Sequence, residues 1–216
     1  MTMPLDAAAG SQGGLAHPGL AEPSRWVCRW AHLIAPGGAV LDVASGSGRH
    51  ARWLAGRGHP VTALDRDAAA LATLRDVAGV ATLECDLERA PWPLAADARF
   101  AAVVVTNYLH RPLMPRLIDA LAPGGVLIYE TFAQGNETVG KPSNPAFLLA
   151  PGELLAVCTP ALRVVAYQDG FLPQPREAYI QRICAVREKT TSVPPEKAGN
   201  LPGSQVLPVA RYDLTG

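Results

Sequence analysis

The chain has 216 residues, 49% of them hydrophobic, which is enough to build one α/β domain with a sizeable buried core. Its 19 basic and 19 acidic residues cancel, so we expect no long-range field that attracts nucleic acid or an anionic membrane. The four cysteines lie at no metal-ligand spacing, so we predict reduced thiols and no metal site. The sequence contains no run of about 18 apolar residues and no basic region followed by an apolar core at its start. We therefore predict a cytoplasmic protein without a membrane span or a signal peptide.

Composition divides the chain into three parts. Residues 1–20 are rich in Gly, Ala and Pro and are predicted to be a flexible segment, and residues 189–216 form a Pro-, Gly- and Ser-rich tail. Residues 21–188 are predicted to be the folded domain. It opens with a helix within residues 22–35 that Ser24 is placed to cap.

Apolar runs and helical patterns alternate along this domain. The pattern predicts strands over residues 39–44, 60–65, 80–86, 100–107, 123–132, 162–171 and 178–188. It predicts helices over residues 48–58, 67–77, 112–122 and 151–158, with Asp67 as a cap and Pro115 in a first turn. The last two strands are so close in sequence that they must pair antiparallel. The expected fold is therefore α/β, a doubly wound, seven-stranded, mostly parallel sheet that ends in an antiparallel hairpin.

The stretch VLDVASGSGRHARWLA, residues 40–55, joins the first predicted strand to its helix through a glycine turn. Gly46 and Gly48 let the backbone approach a ligand closely, and ligands of doubly wound sheets bind at the carboxyl ends of the strands. The letters GSGRHA also match G-x-G-x-x-A, so the turn by itself admits a dinucleotide. A nucleotide-like cofactor is expected, and the glycines alone do not select it.

Carboxylates at the ends of the first three strands help to select the cofactor. Asp65 suits a ribose diol, which NAD and S-adenosylmethionine share. Asp42 would repel a pyrophosphate but suits a ligand that carries an ammonium group, and Asp86 is placed for an adenine amino group. Together they favour S-adenosylmethionine.

Five motifs in succession, VLDVASGSGRHARWLA, VTALDRD, LECDLERAPWPL, VVVTNYLHRPL and LAPGGVLIYETF, resemble those of class I S-adenosylmethionine-dependent methyltransferases. The resemblance covers about residues 24–188 and implies a Rossmann-like fold with S-adenosylmethionine as cofactor. The glycine turn is most similar to that of bacterial small-molecule methyltransferases of the tellurite-resistance type. Ser45 stands where that family often has Gly or Cys, and its small side chain should leave the turn intact.

The resemblance also implies a set of cofactor contacts. Asp42 and the backbone of the glycine turn would hold the methionine part, Asp65 the ribose and Asp86 the adenine edge. The residues thus assigned to the cofactor are Asp42, Ala44, Gly46, Gly48, Asp65, Arg66, Asp86, Leu87, Thr106 and Asn107.

The segment TNYLHRP, residues 106–112, is the candidate catalytic loop. Asn107 and Tyr108 are similar to part of the Asn/Asp-Pro-Pro-Tyr segment of amino-group methyltransferases, but both prolines are missing. His110 is either a general base or a loop histidine satisfied by backbone. Arg111 either binds an anionic substrate through its planar fork or lies on the surface.

Residues 129–149 form a long stretch with little regular pattern, which predicts a lid or substrate wall, or an ordinary surface excursion. Trp26 and Trp30 either fold over the cofactor or belong to the core. The candidate substrate-binding residues are Arg111, Tyr129, Glu130, Phe132 and Asn144.

The predicted function is methyl transfer from S-adenosylmethionine to a small-molecule acceptor by in-line displacement. One alternative is an NAD(P)-linked oxidoreductase, although the sequence lacks a Tyr-x-x-x-Lys pair. The other is a methyltransferase-like fold retained as a catalytically silent binding module. The neutral charge disfavours nucleic-acid and membrane partners, and the sequence leaves the acceptor, the use of a general base and the oligomeric state open.

Overall fold

The computed structural model of the protein describes residues 22–189 and 210–215. The predicted flexible segment 1–20 lies outside these residues, as does most of the predicted tail. Within the described residues the strands are β1 Val40–Val43, β2 Val61–Asp65, β3 Val80–Glu84, β4 Phe100–Thr106, β5 Leu121–Phe132, β6 Arg163–Leu172 and β7 Ala178–Val186. The α-helices are α1 Arg25–Trp30, α2 Arg49–Ala55, α3 Ala68–Ala72, α4 Met114–Asp119 and α5 Glu153–Cys158. Short 3₁₀ turns cover Ala31–Leu33, Arg111–Leu113, Asn136–Thr138 and Pro145–Phe147.

The strands form one seven-stranded sheet in the order β3-β2-β1-β4-β5-β7-β6. The first five strands pair in parallel, whereas β7 pairs antiparallel with both β5 and β6. The predicted doubly wound sheet with a closing antiparallel hairpin is confirmed. Strand order reverses between β1 and β4, so the carboxyl ends of these two strands are where such a sheet binds its ligand.

The sheet separates two apolar layers. One layer packs against α4 and α5 and includes Leu41, Val103 and Tyr129, while the other packs against α1, α2 and α3 and includes Val40 and Val104. Neighbouring residues of a strand therefore belong to opposite layers, because side chains alternate across a sheet. We call the side that faces α1, α2 and α3 the α1 side.

Several local predictions are confirmed at atomic detail. The Ser24 hydroxyl accepts from the Trp26 N–H at 3.1 Å and caps α1, and the Asp67 carboxylate accepts from the first turn of α3. Pro115 lies in the first turn of α4, where its missing N–H leaves no helical bond unmade. Trp26 and Trp30 are core residues, 3% and 2% exposed.

Some elements are shorter than predicted. Helix α3 ends at Ala72 rather than residue 77, and the Thr73 hydroxyl donates back to the Ala70 carbonyl at 2.7 Å. Such side-chain bonds compete with helix continuation. Strand β3 ends at Glu84 rather than residue 86, because Glu84 pairs with Asp65, the last residue of its single partner β2.

The end of the predicted tail packs on the domain. The Leu214 carbonyl accepts from Arg29 at 3.2 Å, and the Asp213 carbonyl lies 3.0 Å from the His32 ring. Tyr212 packs against the α1-side core, with the Arg163 guanidinium 5.4 Å from its ring centre. Residues 210–215 therefore pack against the α1 region and the start of β6.

In residues 22–189 and 210–215, we find no helix long and apolar enough to cross a membrane. The same residues bring together no group of three or more His, Cys, Asp or Glu side chains with the geometry of a metal site.

Candidate functional site

The glycine turn connects β1 to α2 through backbone in the left-handed region. Ala44, Gly46 and Gly48 have φ values of 53°, 54° and 76°. The Gly46 N–H donates to Asp65 Oδ2 at 2.7 Å, which ties the turn to the end of β2. A Cβ at Gly48 would lie 2.5 Å from the Leu74 side chain, whereas a Cβ at Gly46 would meet nothing within 4 Å. Gly48 thus permits close packing, and Gly46 leaves open space above the turn for a ligand.

Asp42 lies in β1 directly before this turn and is 1% exposed. Burial raises the pKa of its carboxyl group to about 7, against the opposing effects of the Ala51 backbone and the Arg49 charge. Its Oδ2 atom has no hydrogen-bond partner among the described residues. A buried acceptor without a donor is costly, so this atom is ready to receive a donor from a ligand.

Arg49, the first residue of α2, is a functional candidate that the sequence analysis missed. Its guanidinium donates to the Glu22 carbonyl at 3.2 Å and to Thr106 Oγ1 at 3.4 Å. Burial lowers its pKa, although the charges of Glu130 and Asp42 act in the opposite direction. No carboxylate of the described chain lies within ion-pair distance of it. Its place directly after the glycine turn was the signal in the sequence.

Glu130, a predicted substrate residue, is the centre of a polar network on the α1 side. It lies in register with Thr106 of β4, and its Oε1 atom accepts from the Ser24 hydroxyl at 2.8 Å. Its Oε2 atom accepts from Arg182 of β7 at 3.1 Å. Arg182 also donates to Gln168 of β6 at 2.7 Å. These partners are far apart in sequence, and no local pattern could have joined them.

His50 ties the start of α1 to α2. Its ring is 2% exposed, and its Nε2 atom accepts from the Ser24 N–H at 3.1 Å. Burial, followed by the nearby Arg49 charge, lowers its pKa to about 3, so the ring is neutral and can act as an acceptor. The first residues of the described chain are thereby fixed beside Arg49 and Glu130.

The predicted ribose and adenine residues lie together at the ends of β2 and β3. Besides its bond to Gly46, Asp65 accepts from the Asp67 N–H at 2.9 Å, and Asp86 accepts from the Glu88 N–H at 3.0 Å. Leu87 is buried between the two acidic residues that flank it. The carboxylates keep unused acceptor positions, because each carboxylate oxygen has two lone pairs.

The predicted catalytic residues occupy the loop after β4. Asn107 has a left-handed backbone, with φ 55°, and its N–H donates to the Glu130 carbonyl at 2.9 Å. Burial, followed by the charges of Glu88 and Asp86, raises the pKa of the Tyr108 phenol. The half-buried His110 ring makes no hydrogen bond with the described residues, which leaves it available to a ligand. The catalytic roles of all three stay predictions.

Two predicted substrate residues, Tyr129 and Phe132, lie in the core, and their substrate roles stay predictions. Tyr129 is 2% exposed in the layer opposite Glu130, and its hydroxyl donates to the Tyr108 carbonyl at 2.8 Å. Phe132 is 7% exposed and packs in a small cluster with Leu148 and Ile180. Both are core residues because strand alternation and the returning loop cover their side chains.

Arg111 links the loop after β4 to the segment that leads into α5, and its substrate role stays a prediction. Its guanidinium donates twice to Glu153, at 2.6 and 2.9 Å, and once each to the Ala146 and Leu148 carbonyls. These bonds also lower the pKa of Glu153, against the effect of burial. The guanidinium therefore makes four hydrogen bonds within the chain. Asn144 caps the turn at Ala146, and its exposed side chain keeps a predicted substrate role.

Comparisons with known proteins agree with this geometry. Residues 40–125 match the model of a family described as a methyltransferase domain. TehB from Haemophilus influenzae aligns with a TM-score of 0.63 at 20% identity, covering 76% of this chain and 61% of that one. A TehB-like SAM-dependent methyltransferase from Corynebacterium glutamicum aligns with a TM-score of 0.55 at 18% identity, covering 76% and 88%. The glycopeptide N-methyltransferase MtfA, complexed with S-adenosyl-L-methionine, aligns with a TM-score of 0.54 at 19% identity, covering 74% and 92%. No curated protein matches the chain.

The fold is that of the class I S-adenosylmethionine-dependent methyltransferases, as the motifs predicted. Residues 40–125 match the model of a methyltransferase domain, and TehB and a TehB-like protein are among the solved structures that share the fold. The chain spans about three fifths of the Haemophilus TehB chain.

Proposed function

We propose that this chain is a cytoplasmic S-adenosylmethionine-dependent methyltransferase that methylates a small-molecule acceptor by in-line displacement. The observation that carries the proposal is the pair Asp42 and Arg49 beside the glycine turn, a carboxyl group and a guanidinium that have no ion-pair partner in the described chain. Asp42 offers a buried acceptor without a donor, and Arg49 offers a half-buried cation without an anion. The amino-acid end of S-adenosylmethionine carries the complementary ammonium and carboxylate groups.

The other predicted contacts fit the same cofactor. Asp65 stands at the end of β2 with acceptor positions left for the ribose hydroxyls. The space above Gly46 admits close approach of a ligand to the turn. A dinucleotide fits less well, because its pyrophosphate would meet Asp42 and it has no ammonium group for that residue.

Methyl transfer from a sulfonium requires little from the protein beyond positioning of the reactants. When bound, S-adenosylmethionine supplies a methyl group on a sulfonium whose leaving group is a neutral thioether. The chain's part is to hold the methionine end through Asp42 and Arg49, to present the carboxyl end of β4 to the methyl group, and to exclude water. Thr106 and Asn107 end that strand and are the proposed neighbours of the methyl group.

The acceptor class depends on His110. A hydroxyl or an ammonium acceptor must lose a proton, and His110 is half-buried, without a partner in the described chain, and placed in the loop after β4. A thiolate or another soft anion needs no base. We favour the soft acceptor, because the loop lacks the two prolines of the amino-group methyltransferases.

A small acceptor in the cytoplasm agrees with the composition. The chain is electrically neutral, which gives no field for a nucleic acid, and none of Cys28, Cys85, Cys158 and Cys184 forms a disulfide.

Calorimetric titration with S-adenosylmethionine, S-adenosylhomocysteine and NAD tests the cofactor assignment. We expect the first two to bind at micromolar levels and NAD to bind far more weakly. Asp42→Asn and Arg49→Gln should each weaken the binding of S-adenosylhomocysteine. Asp119→Asn, a change of an exposed carboxylate at the end of α4, is the matched control and should not. Tighter binding of NAD would overturn the assignment.

Turnover separates an enzyme from a silent binding module. Transfer of labelled methyl groups to a panel of thiols, amines and hydroxyl compounds should release S-adenosylhomocysteine with at least one acceptor class. Cofactor that binds normally but is consumed with none of them would favour the binding module.

A further inference from the structure

Four charged side chains, Asp42, Arg49, Glu130 and Arg182, lie on the α1 side of the sheet near its carboxyl edge. Glu130 is in register with Arg182 on one side and on the other with Thr106, whose hydroxyl accepts from Arg49 at 3.4 Å. Of the four, only Glu130 and Arg182 form an ion pair, at 3.1 Å, with their side chains 15% and 18% exposed. Arg49 is left without a carboxylate.

Arg49 is nevertheless within the electrostatic reach of Glu130. It donates to Thr106, the in-register neighbour of Glu130, and the Glu130 charge is the main influence that opposes the effect of burial on Arg49. A half-buried carboxylate that lost its partner would attract the nearest unpaired cation, because an uncompensated charge away from water is costly. Arg49, which feels the Glu130 charge and has no carboxylate partner among the described residues, is such a cation.

Two donors prevent this rearrangement by occupying both oxygens of Glu130. Ser24 donates to Oε1 and Arg182 donates to Oε2. Arg182 is held in place in turn by Gln168 at 2.7 Å and by the face of Trp26, whose ring centre is 4.8 Å from the guanidinium carbon. Trp26 is fixed by its own bond to the Ile183 carbonyl at 3.1 Å. Arg182 is therefore preorganised towards Glu130 by side chains on β6 and α1.

We propose that Arg182 neutralises Glu130 and thereby keeps the Arg49 guanidinium available for the carboxylate end of the cofactor. The inference rests on the proposed function, because it takes Arg49 as the partner of that carboxylate. Arg182 and Glu130 are positioning residues in this scheme, and they act on the cofactor only through Arg49. Loss of Arg182 alone should harm binding, whereas loss of both charges should not.

The test compares S-adenosylhomocysteine with 5′-methylthioadenosine, which shares the adenosine and thioether but lacks the amino-acid end. Arg182→Gln should weaken the binding of S-adenosylhomocysteine about tenfold, a typical size for the coupling between neighbouring charged residues. The binding of 5′-methylthioadenosine should not change. Adding Glu130→Gln to Arg182→Gln should restore the affinity for S-adenosylhomocysteine, and Arg182→Lys, which keeps the charge, should retain most of it.

Arg187→Gln is the matched control, since Arg187 follows β7 and pairs with Asp119 away from the site. It should leave the affinity for both ligands unchanged. If Arg182→Gln does not fold, Gln168→Ala loosens Arg182 without removing it and should give a smaller selective loss of S-adenosylhomocysteine binding.

Several outcomes would overturn the inference. These are equal losses for the two ligands, no loss for either, or a double variant as weak as Arg182→Gln. Failure of the proposed function looks different, because the unaltered protein would then bind neither ligand.

Discussion

At the residue scale, Asp42 is a buried carboxyl group of the proposed site whose pKa is strongly raised. Burial raises the pKa of its carboxyl group from 3.8 to about 7, so the folded protein holds this proton more tightly than the unfolded chain does. The stability contributed by the protonated group is fully present below about pH 4. It is lost as the pH rises through 7.

We expect Asp42→Asn to stabilise the unliganded protein at pH 8 by about 2 kcal/mol, because the variant has no charge to bury. At pH 4 the two proteins should unfold at nearly the same urea concentration. Urea unfolding of both proteins at the two pH values is the measurement. A variant that is less stable than the parent at pH 8 would show that the Asp42 carboxylate is satisfied in the folded state.

Asp65 stabilises the glycine turn and is also the predicted ligand of the ribose. Its two oxygens accept from Gly46 and Asp67, so Asp65→Ala should lower the unfolding free energy by about 1 kcal/mol as well as weaken cofactor binding. The loss in binding should be larger, on the order of 2–3 kcal/mol, because charge-assisted bonds to the ribose are removed. Calorimetry and thermal unfolding of the same samples measure the two effects. Normal affinity in a less stable protein would mean that Asp65 only supports the turn.

His110→Ala distinguishes the acceptor classes. With a hydroxyl or amine acceptor, removal of the base should lower the maximal rate by about 100-fold or more. With a thiolate acceptor the rate should change little, since no proton has to leave. Release of S-adenosylhomocysteine with each acceptor is the readout, and unchanged cofactor affinity is the control. We expect the second result, and a steep loss of rate with unchanged affinity would reverse that expectation.

At the scale of elements, the turn between β1 and α2 contains two glycines, and different structural constraints favour glycine at each position. Both have positive φ, which side-chain-bearing residues adopt at a cost. Only Gly48 is also crowded, by the Leu74 side chain, while Gly46 faces open space.

Gly48→Ala should therefore destabilise the protein more than Gly46→Ala, which bears the backbone strain of roughly 1 kcal/mol alone. Gly46→Ala should have the larger effect on cofactor affinity, because its methyl group enters the space over the turn. Thermal unfolding and calorimetry of the two variants form a matched pair. Equal effects on both quantities would show that the two positions have the same role.

At the scale of the whole molecule, residues 210–215 return to the domain and contact α1 and β6. The contacts involve Tyr212, Asp213 and Leu214, and α1 also presents Trp26 to the network around Glu130. The end of the chain thus supports a helix that borders the proposed site.

A chain that ends at Lys189 should fold but melt about 2–4 °C lower, the size expected for a loss of about 1 kcal/mol in a domain of this length. Tyr212→Ala in the full chain should reproduce part of the loss, and Arg211→Ala, at an exposed neighbour, should not. Thermal unfolding monitored by circular dichroism measures the shift. An unchanged melting temperature would mean that these contacts contribute nothing to stability.

The sequence by itself determined the layered sheet and was enough to propose where the site lies. Alternating apolar runs and helical patterns specify strands and helices locally, and crossovers between parallel strands have one favoured hand. The glycine turn and the acidic residues Asp42, Asp65 and Asp86 could be found because each belongs to a short motif at the end of a strand.

Only the tertiary structure decided what the individual side chains do. Tyr129 and Glu130 are neighbours in sequence, yet the sheet sends one into the core and the other to the site. The Arg111–Glu153 ion pair and the Ser24–Glu130–Arg182 network join residues that are far apart along the chain. A local pattern records the preference of a segment for helix or strand, whereas the partner of a charged side chain depends on which distant strands lie beside its own. Arg49 depends on both levels of information. Its motif places it directly after the glycine turn, and the fold gives it no carboxylate partner among the described residues.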